Sequence, residues 1–202
     1  MIRSYYFSAR PKFNVSDLKI NSELEFEFEF PWDKFSKKRI EEILEQPWPS
    51  TELFIEHSRR KNKYNIDEYL TVNYWFKKNN VTGHDNGKDV FKVRNGKMKI
   101  ETKMEGDTSG KSFKRLHRWR YSPTAAYGHN EVHLHPYKCR RISVAEAMAI
   151  QSLPKEFILK KDIPLSYKYK MIGNGVPYLL GASIAKSLRI FLNNIMVENN
   201  GN

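Results

Sequence analysis

At 202 residues, with 35 Lys and Arg against 23 Asp and Glu, the chain has the length of one domain, or one domain plus an appendage, and a formal charge of +12. A hydrophobic fraction of 40% permits a core, but 29% charged residues and a mean hydropathy of −0.69 make it a thin one. No apolar run approaches the roughly 18 residues that span a bilayer, Met1-Ile2-Arg3-Ser4-Tyr5 lacks the apolar stretch of a secretory signal, and one cysteine, Cys139, excludes an internal disulfide framework; no membrane and a cytoplasmic location are expected.

Residues 3 to 10 read as an aromatic-rich strand ending at Pro11, and Asn14 to Ser22 as a loop. Leu24 to Phe30 alternates strictly, with glutamates on one face, and predicts a half-buried strand. Ser36 to Gln46 carries Ile40, Ile43 and Leu44 at helical spacing and stops before Pro47 and Pro49. Residues 50 to 80 fit a helix or short strands equally well. Val90 to Val93 and Lys97 to Ile100 flank Arg94-Asn95-Gly96, a hairpin signal. Residues 101 to 112, with Gly106, Asp107, Ser109 and Gly110, predict an exposed loop. A helix is expected from about 144 to 152, then a loop through Lys160, Lys161 and Asp162, then a last helix from near Val176. Along it Leu180, Ile184, Leu188, Phe191 and Ile195 form an apolar stripe that nothing in this chain is expected to cover fully.

The charge is uneven. Residues 111 to 141 hold Lys111, Lys114, Arg115, Arg118, Arg120, Lys138, Arg140 and Arg141 against Glu131 alone, a net +7 in 31 residues. Four of the six histidines and Trp119, Tyr121 and Tyr127 are interleaved with them. A concentrated basic and aromatic stretch suits a polyanion, although a solvated basic face has the same composition. Lys111, Lys114, Arg115, Arg118 and Arg120 are the candidates for phosphate contact, which sets register without reading sequence. Tyr127, His129 and Asn130 are candidates for base-edge readout, since Asn can bond adenine in a bidentate way. His133, His135 and Cys139 invite a metal reading, but one cysteine with no nearby carboxylate cluster leaves zinc short of its four ligands, and no metal is expected.

The most informative block is Arg140-Arg141-Ile142-Ser143-Val144-Ala145-Glu146, then Gln151-Ser152-Leu153-Pro154, then Gly173-Asn174-Gly175-Val176-Pro177. Ser143 with Glu146 reads as a capping box. Gly173-Asn174-Gly175 reads as a turn passing through φ > 0 before Pro177 opens a helix. In this order the pieces resemble the last two conserved motifs of the DNA cytosine-5 methyltransferase family: Arg-x-Leu-Thr-Val-Arg-Glu, Gln-x-Phe-Pro and Gly-Asn-x-Val-Pro. Ser122-Pro123-Thr124 and His135-Pro136 extend the likeness upstream, and Arg3 to Arg10 is similar to the strand that follows the family's eighth motif. Ala145 stands where the family has arginine, and Leu153 where it has phenylalanine.

The resemblance implies an α+β fold. A last strand of the catalytic domain (1–10) would lead into a mixed, strand-rich target-recognition region (11–120). A conserved region (121–195) would then return helices to complete a partner's Rossmann-like methyltransferase domain, before a tail (196–202). It implies target recognition on double-stranded DNA, with Arg3 at the flipped base or a phosphate, Thr124 beside the flipped nucleotide, and Arg140 among the DNA-binding residues. Arg140 and Glu146 would also organise the recognition region. Asn174 and Gly175 would lend one wall to the S-adenosylmethionine site. The family's Pro-Cys nucleophile, Glu-Asn-Val element and Gly-rich cofactor loop have no counterpart here, since Cys139 follows Lys138. The chain is therefore expected to be inactive alone and to need a catalytic half, supplied by a separate chain or a missing N-terminal region. The alternative is an inactive, stand-alone DNA-binding remnant.

Overall fold

The computed structural model describes residues 37–92, 97–125 and 131–200. The strands expected over 3–10 and 24–30, the Arg94-Asn95-Gly96 turn, and the candidates Arg3, Tyr127, His129 and Asn130 lie outside the described residues.

Helix α1 spans Lys37–Glu45 and buries Ile43 (1% exposed). It stops ahead of Pro47, whose ring cannot continue the ladder. Arg39 leaves the helix to meet the Asp67 carboxylate at 2.9 Å. Residues 50–66 hold no helix; their backbone joins the fold through an antiparallel bridge between Glu52 and Glu105. A 3-10 turn, Glu68–Leu70, leads to α2, Val72–Lys78, where Thr71 Oγ1 accepts from the Tyr74 amide at 3.3 Å. The helix's first free amides, Val72 and Asn73, donate to the carbonyls of Arg120 (2.9 Å) and Arg118 (3.0 Å). Backbone from the basic stretch thus satisfies groups that a helix start otherwise leaves open.

The expected hairpin is corrected on its second arm. Lys97–Thr102 is a helix, α3. A strand would have turned Met98 and Ile100 to one face; instead Met98 is 74% exposed and Ile100 fully buried. Residues 101–112 are also not simply an exposed loop, since Glu105 and Gly106 are buried. Gly106 has φ +87°, and a Cβ there would sit 3.1 Å from the His117 ring, so glycine suits it on both counts.

Two short strands, β1 (Lys114–Arg115) and β2 (His133–Leu134), pair in parallel with Lys114 opposite His133. Among the described residues, 37–120 are built more from short helices and irregular backbone than from the strands expected there. Two amides find side chains where a sheet would offer carbonyls: Arg118 N donates to Glu105 Oε1 (3.0 Å) and, further on, His133 N to Glu131 Oε1 (2.5 Å). The chain is a mixed α+β structure with helices and a small sheet.

Helix α4 (Val144–Ile150) is the centre of the core: all seven of its residues are buried, against Val72, Trp75 and Phe76 of α2 and Tyr169 and Ile172 of α5 (Leu165–Asn174). A helix apolar on every side but for Glu146 belongs inside, and three alanines let its neighbours approach closely. Polar side chains tie residues 79–89 to the C-terminal third. Asn79 Nδ2 donates to the Leu153 carbonyl (2.7 Å), Asn86 bonds both backbone groups of Leu159, and buried Lys168 meets Asp89 at 2.7 Å. Helix α6 (Tyr178–Asn200) closes the described chain.

Candidate functional site

The Arg140–Glu146 block folds into a buried polar cluster. Ser143 caps α4: its Oγ accepts from Glu146 N at 3.2 Å, and Glu146 Oε2 accepts from Ser143 N at 2.7 Å, the reciprocal pair of a capping box. Arg140 then grips the same carboxylate with two bonds, Nη1 to Oε2 (2.8 Å) and Nη2 to Oε1 (2.7 Å). Burial works to lower the Arg140 pKa, but the paired Glu146 outweighs it and the net shift is upward. His135 adds its Nε2 at 3.4 Å from Glu146 Oε1. Burial, with the charges of Arg140 and Lys138 behind it, drives His135 well below its ordinary pKa. The imidazole is therefore neutral, and because Nδ1 accepts from Tyr137 N (3.2 Å), its hydrogen sits on Nε2, facing the carboxylate. The Arg140 fork is engaged by Glu146 and the Arg141 carbonyl, while its side chain stays 26% exposed.

The basic stretch divides in two. Arg115 is fully buried and donates to the carbonyls of Lys103 (2.9 Å), His135 (2.6 Å), Lys138 (3.3 Å) and Ile100, with its guanidinium 3.6 Å from the centre of the Phe54 ring. Burial lowers its pKa to about 10, against the pull of Cys139 and Glu105. Arg118, 3% exposed, makes two bonds to Glu105 (2.8 and 2.9 Å) and two to Ser58, one to its carbonyl (2.7 Å) and one to its hydroxyl (2.8 Å). As phosphate contacts Arg115 and Arg118 are corrected: their donors are committed inside the fold. Lys111 and Thr124 are exposed, and Lys114 and Arg120 are half-buried at the surface, with Arg120 Nη1 3.4 Å from the Gly106 carbonyl. His133 and His135, adjacent in the metal reading, part ways: His133 Nδ1 turns to Glu131 (2.8 Å) and His135 to Glu146.

The Gln151-Ser152 piece positions the turn that follows. Gln151 Nε2 donates to the Ile172 carbonyl (3.2 Å), the Gln151 carbonyl accepts from Tyr178 N (3.0 Å), and Ser152 Oγ accepts from Leu179 N (3.1 Å). These bonds satisfy the opening amides of α6. Asn174 ends α5, and Gly175 N reaches back to Met171 (3.2 Å) and Ile172 (3.3 Å). Gly175 has φ −77°, so the turn does not use the left-handed region expected of it. Asn174 is exposed rather than buried, beside exposed Val176 and Tyr178. The pair can line one side of a bound molecule; on this open turn it cannot enclose one. Along α6, Ile184 is 41% and Leu188 47% exposed, with Leu180 and Phe191 half-buried.

Two internal partners were not singled out from the sequence: Glu105, within the segment expected to be an exposed loop, and Glu131, fully buried two residues before His133. An acid placed alone among many cations was the available signal.

Comparison with known proteins sets this geometry in context. A family model described as C-5 cytosine-specific DNA methylase matches residues 2–189. The chain is 52% identical over 166 residues to a protein of Neisseria meningitidis serogroup C named Type II methyltransferase M.NmeDI, covering 82% of this chain and 38% of that protein. A Type II methyltransferase of Desulfomicrobium norvegicum, M.DdeI, is 31% identical over 104 residues, 46% of this chain and 25% of its own length. A putative type II methyltransferase of Oceanobacillus iheyensis, M.OihORF3336P, is 44% identical over 57 residues, 28% of this chain and 12% of its own.

Proposed function

This chain belongs to the C-5 cytosine-specific DNA methylase family, and from that premise we propose that it supplies target recognition, and one wall of the S-adenosylmethionine site, to a methyltransferase of a restriction-modification system. The reaction would be methyl transfer to C5 of a cytosine in a specific duplex site, after a cysteine thiolate attacks C6 of the flipped base. The thiolate, the acid that assists it and most of the cofactor site would come from a catalytic half outside these residues. Bound S-adenosylmethionine would supply the methyl group. Within this chain, Asn174 and Gly175 would face that cofactor. Thr124 would stand beside the extruded nucleotide, with Lys111, Lys114 and Arg120 on phosphates.

The observation that carries the reading is the Arg140–Glu146 pair. It clamps the backbone leading out of β2 onto the N-terminus of α4, so the recognition face and the helical return are held in fixed relation. A catalytic half reading DNA through a separate region needs that rigidity, because a small misplacement of the reacting base costs large factors in rate. The exposed apolar side chains of α6 favour this reading over the stand-alone remnant, which has no use for them or for the Asn174 turn.

The test is complementation. The purified chain, alone and mixed with the part of the Neisseria protein that the similarity does not cover, is assayed for transfer of tritiated methyl groups to unmethylated genomic DNA. The expected result is no transfer by either part and transfer by the mixture. Transfer by this chain alone would overturn the divided site. DNA binding with no restored transfer would make the remnant the better reading.

A further inference from the structure

The ledge formed by residues 53–63 has no regular structure, yet it is held at five points. Arg118 bonds the carbonyl and hydroxyl of Ser58, His57 N donates to the Tyr137 carbonyl (2.8 Å), and Glu56 accepts from Cys139 N (2.9 Å). Phe54 lies under the Arg115 guanidinium, and Arg60 pairs with Glu52. Buried arginines that make internal bonds to one surface segment fix its course in place of a helix or ladder. Within it His57 adopts φ +55°, a left-handed conformation uncommon for residues other than glycine, although histidine enters it more readily than most. Backbone of this kind persists where surrounding structure over-determines it, and it clusters at sites of recognition.

What the ledge turns outward is the second observation. Leu53 is 68% and Ile55 48% exposed, and the side chains of His57 and Lys63 are 73% and 70% exposed. Residues 57–63 read His-Ser-Arg-Arg-Lys-Asn-Lys, four cations without an acid. Arg60 turns inward to Glu52, while Arg59 and Lys61 are exposed. Lys63 touches Glu52 at 3.0 Å, but that carboxylate keeps Arg60 and Tyr64 if the lysine leaves. The ledge adjoins the region already assigned to DNA: the Tyr64 ring meets His117 edge-on at 6.1 Å, and Arg120 reaches Gly106 beside His117.

We propose that this ledge is a second DNA-contacting element of the recognition region, with Arg59, Lys61 and Lys63 on phosphates and Leu53, Ile55 and His57 directed at base edges. The proposal rests on the DNA-recognition reading above. It gives the interface cations to replace Arg115 and Arg118, which the fold has taken inside. Phosphate contacts position a protein and apolar side chains meet thymine methyl groups, so one segment carrying both, held rigid, suits groove readout.

The test is the salt dependence of binding to a mixed-sequence duplex of about 25 base pairs, long enough for the few helical turns a domain of this size covers. The full chain is compared with Arg59→Ala/Lys61→Ala/Lys63→Ala and with Lys155→Ala/Lys160→Ala/Lys161→Ala, an equal loss of charge on the exposed loop after α4. The ledge variant should flatten the slope of log K against log salt by about 2 to 3, since each phosphate contributes about 0.9. The control should leave the slope unchanged. An unchanged slope in the ledge variant, or equal flattening in both, overturns the proposal while the DNA reading stands. Salt-insensitive or absent binding by the unmodified chain overturns both.

Discussion

Arg140 shows how a cation in a basic stretch can be occupied from within. It sits in the most basic stretch of the chain, yet its partner is six residues ahead and buried. Glu146, 2% exposed, is tolerable only because Arg140, the Ser143 amide and the neutral His135 surround it. Arg140→Met should therefore destabilise the fold by about 3 kcal/mol, the lower end for breaking a buried pair because the arginine is itself partly exposed. Arg140→Met/Glu146→Gln should recover part of that loss, and urea midpoints measure both. Histidines set the response to acid. His117 is held down to about 4, chiefly by burial, and burial also holds His135 well below its ordinary value. Unfolded histidines titrate near 6.5, so between there and about 4 the unfolded chain binds more protons. Stability should fall as pH drops through that window, by about 1.4 kcal/mol per pH unit for His117, with His135 acting in the same direction. Glu52 and Asp107, each lowered to about 2, act with the same sign in a lower window, below the ordinary carboxylate range. Urea titrations at pH 7, 5.5, 4.5 and 3 separate the two, and His117→Gln should flatten only the upper one.

Helices with local signals were legible; segments held by distant side chains were not. The α4 capping box was readable from Ser143 and Glu146 because both partners lie within one turn. The α1 boundary was readable from Pro47. The Lys97–Ile100 arm was misread because four alternating residues fit a strand or one helical turn, and the burial of Ile100 under Arg115 decides for the helix. In the candidate site the order of the motifs was legible. The inward turn of Arg115 and Arg118 was not, since it depends on Glu105, Ser58 and carbonyls up to 60 residues away. At α6 the apolar spacing was visible, and the structure adds which positions stay open. Ile184→Ser/Leu188→Ser should leave the melting temperature nearly unchanged, since both side chains are exposed. The same variant should weaken complementation by the catalytic half. Unimpaired methyl transfer by the double variant would remove α6 from the assembly surface.

For the molecule as a whole, the excess of positive charge does not amount to a uniform interaction surface. Among the described residues part of it neutralises buried acids and part lies on the exposed lysine loop after α4, while the 111–124 surface and the 53–63 ledge each carry exposed or half-buried cations. The bonds joining Asn79, Asn86 and Asp89 to residues 153–168 run straight across the border expected at residue 120. That border is a poor place to cut. An experimenter exchanging target specificity between relatives by transplanting everything before residue 121 would strip α4 of the α2 side chains that bury it and would leave Lys168 in the interior without its counter-charge. The graft these contacts favour is smaller and discontinuous: the ledge with the 105–118 and 137–139 segments that pin it, moved together as one piece of surface on an otherwise unaltered host.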